Sequence, residues 1–351
     1  MVRYGRPYSS PPELQASGPL SSSCLINNYN YGKYVCEAVD SALEQSLPFD
    51  EIIIVDDGST DNSLDVLNAR YGRHTGIRIV AQEQSGQLSC IQRAVEMASG
   101  ELIFLLDSDD CQHRDLHATV QSVFQARQHI DFLSVDHEKF GPCVNDRQRK
   151  KRTRDQGVSA LASIFFRHWV GAPTSCLSMR SSLLERILPY PNESNWRTRA
   201  DDVLVLASSI VGAQKYHIGE QLVRYRVHES NHFSGRTWSE AQKMQYALKL
   251  NAMINWYVNA AGYDITLLPK LASKEFRTIE HPVLKELLMY LRLCAQSGTS
   301  LDVRCGSLIS IFRHFFAERR RGLWQPAPHA PVANPSRPKR KIAVRESAQA
   351  A

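Results

Sequence analysis

Residues 100–110, GELIFLLDSDD, constrain this chain more than any other stretch. Five consecutive apolar residues, Leu102 to Leu106, leave no polar face. Such a run suits a strand covered on both sides, inside a sheet with helices on either face. It breaks directly into Asp107-Ser108-Asp109-Asp110. In extended backbone Asp107 and Asp109 point the same way. Carboxylates held that close repel one another, and a hard divalent cation with oxygen ligands, Mg²⁺ or Mn²⁺, relieves the repulsion and bridges to a substrate's phosphates. The plainer alternative is a solvated acidic turn.

Other strands share this form. A weak strand over 22–27 ends in the polar loop Asn27-Asn28-Tyr29-Asn30-Tyr31-Gly32, and apolar residues then recur at helical spacing from Val35 to Leu43. EIIIV, residues 51–55, is mostly β-branched and ends in Asp56-Asp57-Gly58-Ser59-Thr60-Asp61. A third strand over 77–82 is followed by Glu83 and Gln84, candidates for the same pocket. Gly86 opens the loop into a helix bearing Ile91, Ala94 and Val95. After the LIFLL strand come a helix over 116–124 and a strand over 130–135. This alternation predicts an α/β fold with a mostly parallel sheet and helices on both faces. Ligands of such sheets bind beyond the carboxyl ends of the strands, where the Asn and Asp clusters fall. No G-x-G-x-x-G follows the first strand and no G-x-x-x-x-G-K-[ST] exists, so phosphate-cradling glycines are lacking.

The motifs LINNYNYGKYVCEAVDSALEQSLPFDEIIIVDDGSTDNS and GQLSCIQRAVEMASGELIFLLDSDD resemble the two opening blocks of family 2 glycosyltransferases. The second ends in that family's D-x-D motif. The resemblance covers roughly residues 21–235, departing at Asn27-Asn28 and at Gln92-Arg93-Ala94. It implies the GT-A fold, a Rossmann-like sheet flanked by helices, and inverting, metal-dependent transfer of a sugar from a nucleoside diphosphate sugar, UDP foremost, to a hydroxyl of a glycan or lipid-linked acceptor. It further implies that Asp57, with Asp56 as the alternative, contacts base or ribose, and that Tyr29 packs on the base. Asn28, Asn30, Gly86, Asp107 and Ser108 would line the donor. Asp109, with Asp107 and His228, would hold Mn²⁺ or Mg²⁺. The family carries E-D-x-D-L-x-L before a helix, its first Asp the general base. Matching the leucines to Leu204 and Leu206 puts the base at Asp201; matching the acidic pair puts it at Asp202. The leucine register is preferred, and Arg197 and Arg199 are expected to keep that carboxylate ionised. RYRVHESNHFSG resembles the family's closing segment, in which a sheet-edge strand precedes the His, with Arg224 and Arg226 available to phosphate. Two rival functions are a sugar-phosphate nucleotidyltransferase and a protein that binds nucleotide sugar or glycan without transfer.

Residues 141–157 are polar and basic and read as a mobile loop. Thr174 and Ser175 are available to a sugar hydroxyl or to a turn. Helical periodicity over 238–260, 282–295 and 300–320 predicts a helical extension over 236–324, following a glycosyltransferase domain over 21–235. Arg319, Arg320 and Arg321 beside Phe312, Phe315, Phe316, Leu323 and Trp324 suit a membrane surface, or simply a helix end where cations meet the dipole. Residues 1–20 and 325–351 read as disordered. The chain carries 8 Cys, none as C-x-x-C, which argues against a zinc site. With no apolar N-terminal segment or membrane-length run, a cytoplasmic protein is expected, peripheral at the inner membrane face where the basic C-terminal helix meets lipid. Net charge is +6, carried in local basic runs read as solvated faces, and no nucleic-acid partner is implied.

Overall fold

The apolar runs of the first half become adjacent parallel strands. The computed structural model describes residues 19–144, 151–229 and 238–322. The expected disordered ends fall almost wholly outside these residues, as do Leu323, Trp324 and much of the basic stretch after 144. The first half comprises β1 (Ser22–Asn28), α1 (Val35–Leu43), β2 (Glu51–Asp56), α2 (Ser63–Tyr71), β3 (Ile77–Ala81), α3 (Gln87–Met97) and β4 (Leu102–Asp107). Side chains alternate along each strand. Cys24, Ile26, Ile52 and Ile54 cluster with Val39 and Leu67 on one face, while Leu25, Ile53 and Val55 cluster with Leu88 and Ile91 on the other. Burying each large aliphatic side chain contributes about 1.5–3 kcal/mol. Register then aligns the polar ends: Asn28 lies opposite Asp56, and Asn27 opposite Asp107.

The second half adds β5 (Cys111–Gln112), α4 (Leu116–Ala126), β6 (Phe132–Phe140), β7 (Arg154–Gly157), α5 (Ala160–Phe166), β8 (Leu177–Arg180), α6 (Ser181–Ile187), α7 (Ala200–Ile210) and β9 (Lys215–Arg226). Strand order is β3-β2-β1-β4-β8-β6-β9-β5, with β7 also on β9. The sheet is more mixed than alternation predicts. A single turn over Thr174–Cys176 brings the chain to the carboxylate end of β4, so β8 runs back antiparallel to both β4 and β6. β9 was expected at an edge but is interior, parallel to β6 and antiparallel to β5 and β7. β7 replaces part of the expected loop. Its sequence, RDQG, gives no apolar signal, but its polar groups find partners: Arg154 donates to both Glu286 carboxylate oxygens at 3.0 and 2.6 Å, and Asp155 accepts from Gln214 Nε2 at 2.7 Å.

The chain continues into α8 (Glu240–Ala260), α9 (Ala272–Phe276), α10 (Leu284–Ala295) and α11 (Leu301–Gly322). These helices share one core with the sheet: Met253, Tyr257, Phe276, Tyr290, Ile311 and Phe315 belong to the same buried cluster as Phe104, Leu133 and Val203. A polar tie reinforces this, since Glu275 of α9 accepts from Leu161 N and Ala162 N at the start of α5. All eight cysteines are free. No helix among the described residues is long and apolar enough to cross a membrane.

Candidate active site

Where β1, β2 and β4 end, the loops after them enclose a cleft of about 450 Å³. Two expected site residues build its rim and do not line it. Asp56 is fully buried and accepts from Asn28 Nδ2 at 2.6 Å, Ser59 N at 2.9 Å and Ser59 Oγ at 2.6 Å. Asn30, at φ +56°, accepts at Oδ1 from Thr60 N at 2.7 Å. Together they clamp the loop after β1 to the loop after β2. Asn28 and Tyr29 do line the cleft. Asn28 Oδ1 and Ser108 Oγ are buried there without a hydrogen-bond partner among the described residues. Buried polar atoms without a partner are costly and call for one, such as an ordered water or a bound ligand.

Asp57 lines the cleft and also shapes it. Its carboxylate accepts from Gln82 Nε2 at 2.9 Å, Ser85 N at 2.8 Å and Gly86 N at 2.8 Å. Gly86 has φ +104°, and a Cβ there would lie 2.3 Å from Arg197 Cα. Only glycine lets this loop lie against the segment before α7. Gln84 lines the cleft, whereas Glu83 is exposed outside it.

Asp107, Ser108 and Asp109 form the opposite wall. Burial, and then the charge of Asp109, push Asp107 up to about 7. Asp110 is buried behind them, raised well above the usual carboxylate range by burial and by both neighbours. It accepts from Ser175 Oγ at 2.6 Å and Arg226 N at 2.8 Å. Ser175 therefore braces the acidic turn, while Thr174 faces the cleft. His228 does not itself line the cleft; its Nε2 lies 3.1 Å from Asp109 Oδ2, and its ring packs against those of Tyr31 and Tyr34. Arg224 and Arg226 do not line the cleft. Arg224 turns to Glu138, and Arg226 donates to the Asp109 carbonyl at 2.7 Å and to Glu37 at 2.5 Å. Strand alternation gives the cleft Tyr225 instead.

α7 separates its two carboxylates. Asp201 lines the cleft. Asp202 is 2% exposed, paired with Arg199 through both oxygens and accepting from the Tyr246 hydroxyl. The arginines do not hold Asp201 ionised as expected: Arg199 is committed to Asp202, and Arg197 donates to the Gln84 carbonyl. Burial, and then the charge of Asp202, push Asp201 upward, with Arg199 opposing.

Sequence reasoning gave Gln87 no role. Its Nε2 donates to Asp107 Oδ1 at 2.8 Å, and its Oε1 accepts from Ala200 N at 3.0 Å. Its backbone N–H donates to the Arg197 carbonyl at 2.9 Å. One amide thus joins the β4 carboxylate to the first turn of α7. The only signal in the sequence is a polar residue directly after a loop glycine, which is common.

Comparison with known proteins agrees with this geometry. The family described as Glycosyl transferase family 2 matches residues 23–188. The uncharacterized glycosyltransferase alr2836 of Nostoc sp. (strain PCC 7120) is 30% identical over 258 residues, 70% of this chain and 77% of the relative. The putative teichuronic acid biosynthesis glycosyltransferase TuaG of Bacillus subtilis is 38% identical over 233 residues, 65% of this chain and 86% of TuaG. Among solved structures, S. aureus TarS 1–349 in complex with UDP-GlcNAc superposes with a TM-score of 0.55 at 16% identity, over 90% of this chain and 95% of that one, which establishes a shared fold. With its D-D-G-S and D-x-D strand ends meeting in one cleft opposite an acidic helix start, the chain belongs to glycosyl transferase family 2.

Proposed function

We propose that the protein transfers a sugar, with inversion, from a UDP sugar to a hydroxyl of a growing polysaccharide or lipid-linked glycan, and that it needs Mn²⁺ or Mg²⁺. The observation that carries this reading is one cleft that holds Asp201, Asp107, Asp109 and the unpartnered Asn28 Oδ1 and Ser108 Oγ. UDP-GlcNAc bound to TarS and the teichuronic acid assignment of TuaG support the donor and acceptor classes. Neither rival function is favoured. The relatives are transferases, and the loop after β1 is Asn-Asn-Tyr-Asn, without the glycines of a nucleotidyltransferase.

The donor set fits a divalent cation. Asp107 is raised by burial and by Asp109, so added positive charge relieves the site. No three His, Cys, Asp or Glu side chains converge on one point among the described residues. Asp109, with His228 and Asp107, would therefore supply part of a coordination sphere that diphosphate and water complete. The ion, when bound, neutralises charge on the departing diphosphate. Asp201 takes the acceptor's hydroxyl proton, a role that contributes about 10²–10⁴ in rate. Tyr29 offers a ring to the nucleobase. Asn28 Oδ1 accepts an N–H or O–H of the donor, and Asp57 holds the Gly86 loop that shapes the base pocket.

Thermal unfolding with UDP, GDP and their sugars, with Mn²⁺ or Mg²⁺, tests donor and metal together, because a ligand in excess raises stability by RT ln(1 + [L]/Kd). A metal-dependent rise with UDP and its sugars, and UDP release accelerated by a glycan acceptor, is expected. No response to any UDP sugar with either ion would end this reading.

A further inference from the structure

α11 has apolar residues on two neighbouring faces, whose centres lie about 100° apart around its axis. Ile311 and Phe315 are buried in the common core. On the outer side Leu301, Ile309, Phe312 and Phe316 are 76%, 59%, 41% and 55% exposed, with exposed Cys305 among them. At 100° per residue these five fall within an arc of about 80°, in a line roughly 22 Å long. Scattered exposed apolar residues are ordinary, but a continuous line on a helix is not. The Phe312 and Phe316 rings stack with centroids 6.5 Å apart. Arg313, Arg319 and Arg320 are exposed along the border. Arg277, Arg313 and His314 line a hollow that Ile309 also borders. Along the line the one exposed acid is Asp302, at its N-terminal end; residues 303–317 contain no Asp or Glu, and Glu318 is buried and paired with Arg321 at 2.8 Å.

We infer that this face of α11 binds the surface of an anionic lipid bilayer. Apolar side chains enter the boundary between headgroups and acyl chains, and the flanking arginines meet lipid phosphates. Charge selects this occupant over two others. A second copy docked by a two-fold axis would set the same arginines against one another. The chain's own residues 323–351 carry Arg337, Lys339, Arg340, Lys341 and Arg345 against Glu346 alone, so they repeat the sign of the face.

The full chain is sedimented with vesicles of phosphatidylcholine alone and of phosphatidylcholine mixed with phosphatidylglycerol. It is expected to pellet with the second and to be released by salt. Phe312→Ser with Phe316→Ser should weaken the partition at least tenfold, and Arg319→Gln with Arg320→Gln about fivefold per charge removed. Thermal unfolding unchanged from the parent shows that both variants fold. The inference is overturned if the parent stays in solution with both vesicles, or if both folded variants bind as the parent does. It is equally overturned if light scattering shows a dimer that the phenylalanine variant dissolves while lipid binding is absent.

Discussion

Asp201→Asn and Asp202→Asn are expected to change different observables. Asp202 is buried, takes two bonds from Arg199, and accepts the Tyr246 hydroxyl. Removing one partner of a buried ion pair costs about 3–5 kcal/mol. The Arg199 side chain is 33% exposed and can turn to water, and Asn keeps one acceptor, so about 2 kcal/mol is the working figure. With an unfolding entropy of roughly 2.1 cal/mol/K per residue, that lowers Tm by about 3 °C in a chain of this length. Asp201 behaves in the opposite sense. Its folded pKa is raised to about 7 from an ordinary 3.8, so its contribution to stability is fully present below 3.8 and lost as pH rises through 7. At pH 8 the folded state carries that penalty, and Asn removes it. Asp201→Asn should hold or raise Tm at pH 8 while turnover falls about 10²–10⁴-fold with donor binding intact. Asp202→Asn should keep appreciable turnover and lose Tm. The assays are UDP release with acceptor, donor affinity and thermal unfolding at pH 8. The assignment is refuted if Asp202→Asn loses transfer at unchanged Tm while Asp201→Asn turns over normally.

The carboxylate of Asp201 must be ionised to accept a proton, so kcat/KM is expected to rise with pH through about 7 and then level; a flat pH–rate profile would remove Asp201 as the base. Asp109→Ala should abolish metal-dependent UDP binding in a protein that unfolds as the parent does, and calorimetry showing parental UDP affinity with Mn²⁺ would displace the metal site. Gln87→Leu strips a charged acceptor and a helix N–H of their partner, and should lower kcat about tenfold with donor KM nearly unchanged. Gln87→Glu keeps the acceptor toward Ala200 but sets a charge against Asp107, so it should not rescue; equal kcat in all three proteins would show that the bridge is idle.

β1, β2 and β4 were legible because each is an apolar run ending in polar residues, and a fully buried strand has few other ways to look. The strand-end carboxylates were legible for the same reason, since register in a parallel sheet carries every such end to one side. Which carboxylate faces inward was less so. Asp56 and Asp57 are equal in the sequence, and only the turn at Gly58 sends one into the clamp on Ser59 and the other toward Gly86. For Asp201 and Asp202 the family resemblance offered two registers, and only the folded environment distinguishes them: Asp201 lines the cleft, while Asp202 is taken up by Arg199 and Tyr246. β7 was hidden because its polar side chains are satisfied by Glu286 and Gln214, residues 59 or more positions away in the chain. Gln87 was hidden likewise: its meaning lies in Asp107 and Ala200, 20 and 113 residues distant.

The bonds from Gln87 to Arg197 and to Ala200 at the start of α7, with Gly86 packed on Arg197, hold Asp201, the proposed base, at the cleft without help from an acceptor. A base ready beside a bound donor does not distinguish a sugar hydroxyl from water. Slow hydrolysis of the donor should therefore accompany transfer as a side reaction. Gln87→Leu, by loosening α7 from β4, should slow that waste and productive transfer together. Fidelity would then rest on how completely the acceptor displaces water from the cleft, so poorly fitting acceptors would raise the share of donor lost to hydrolysis.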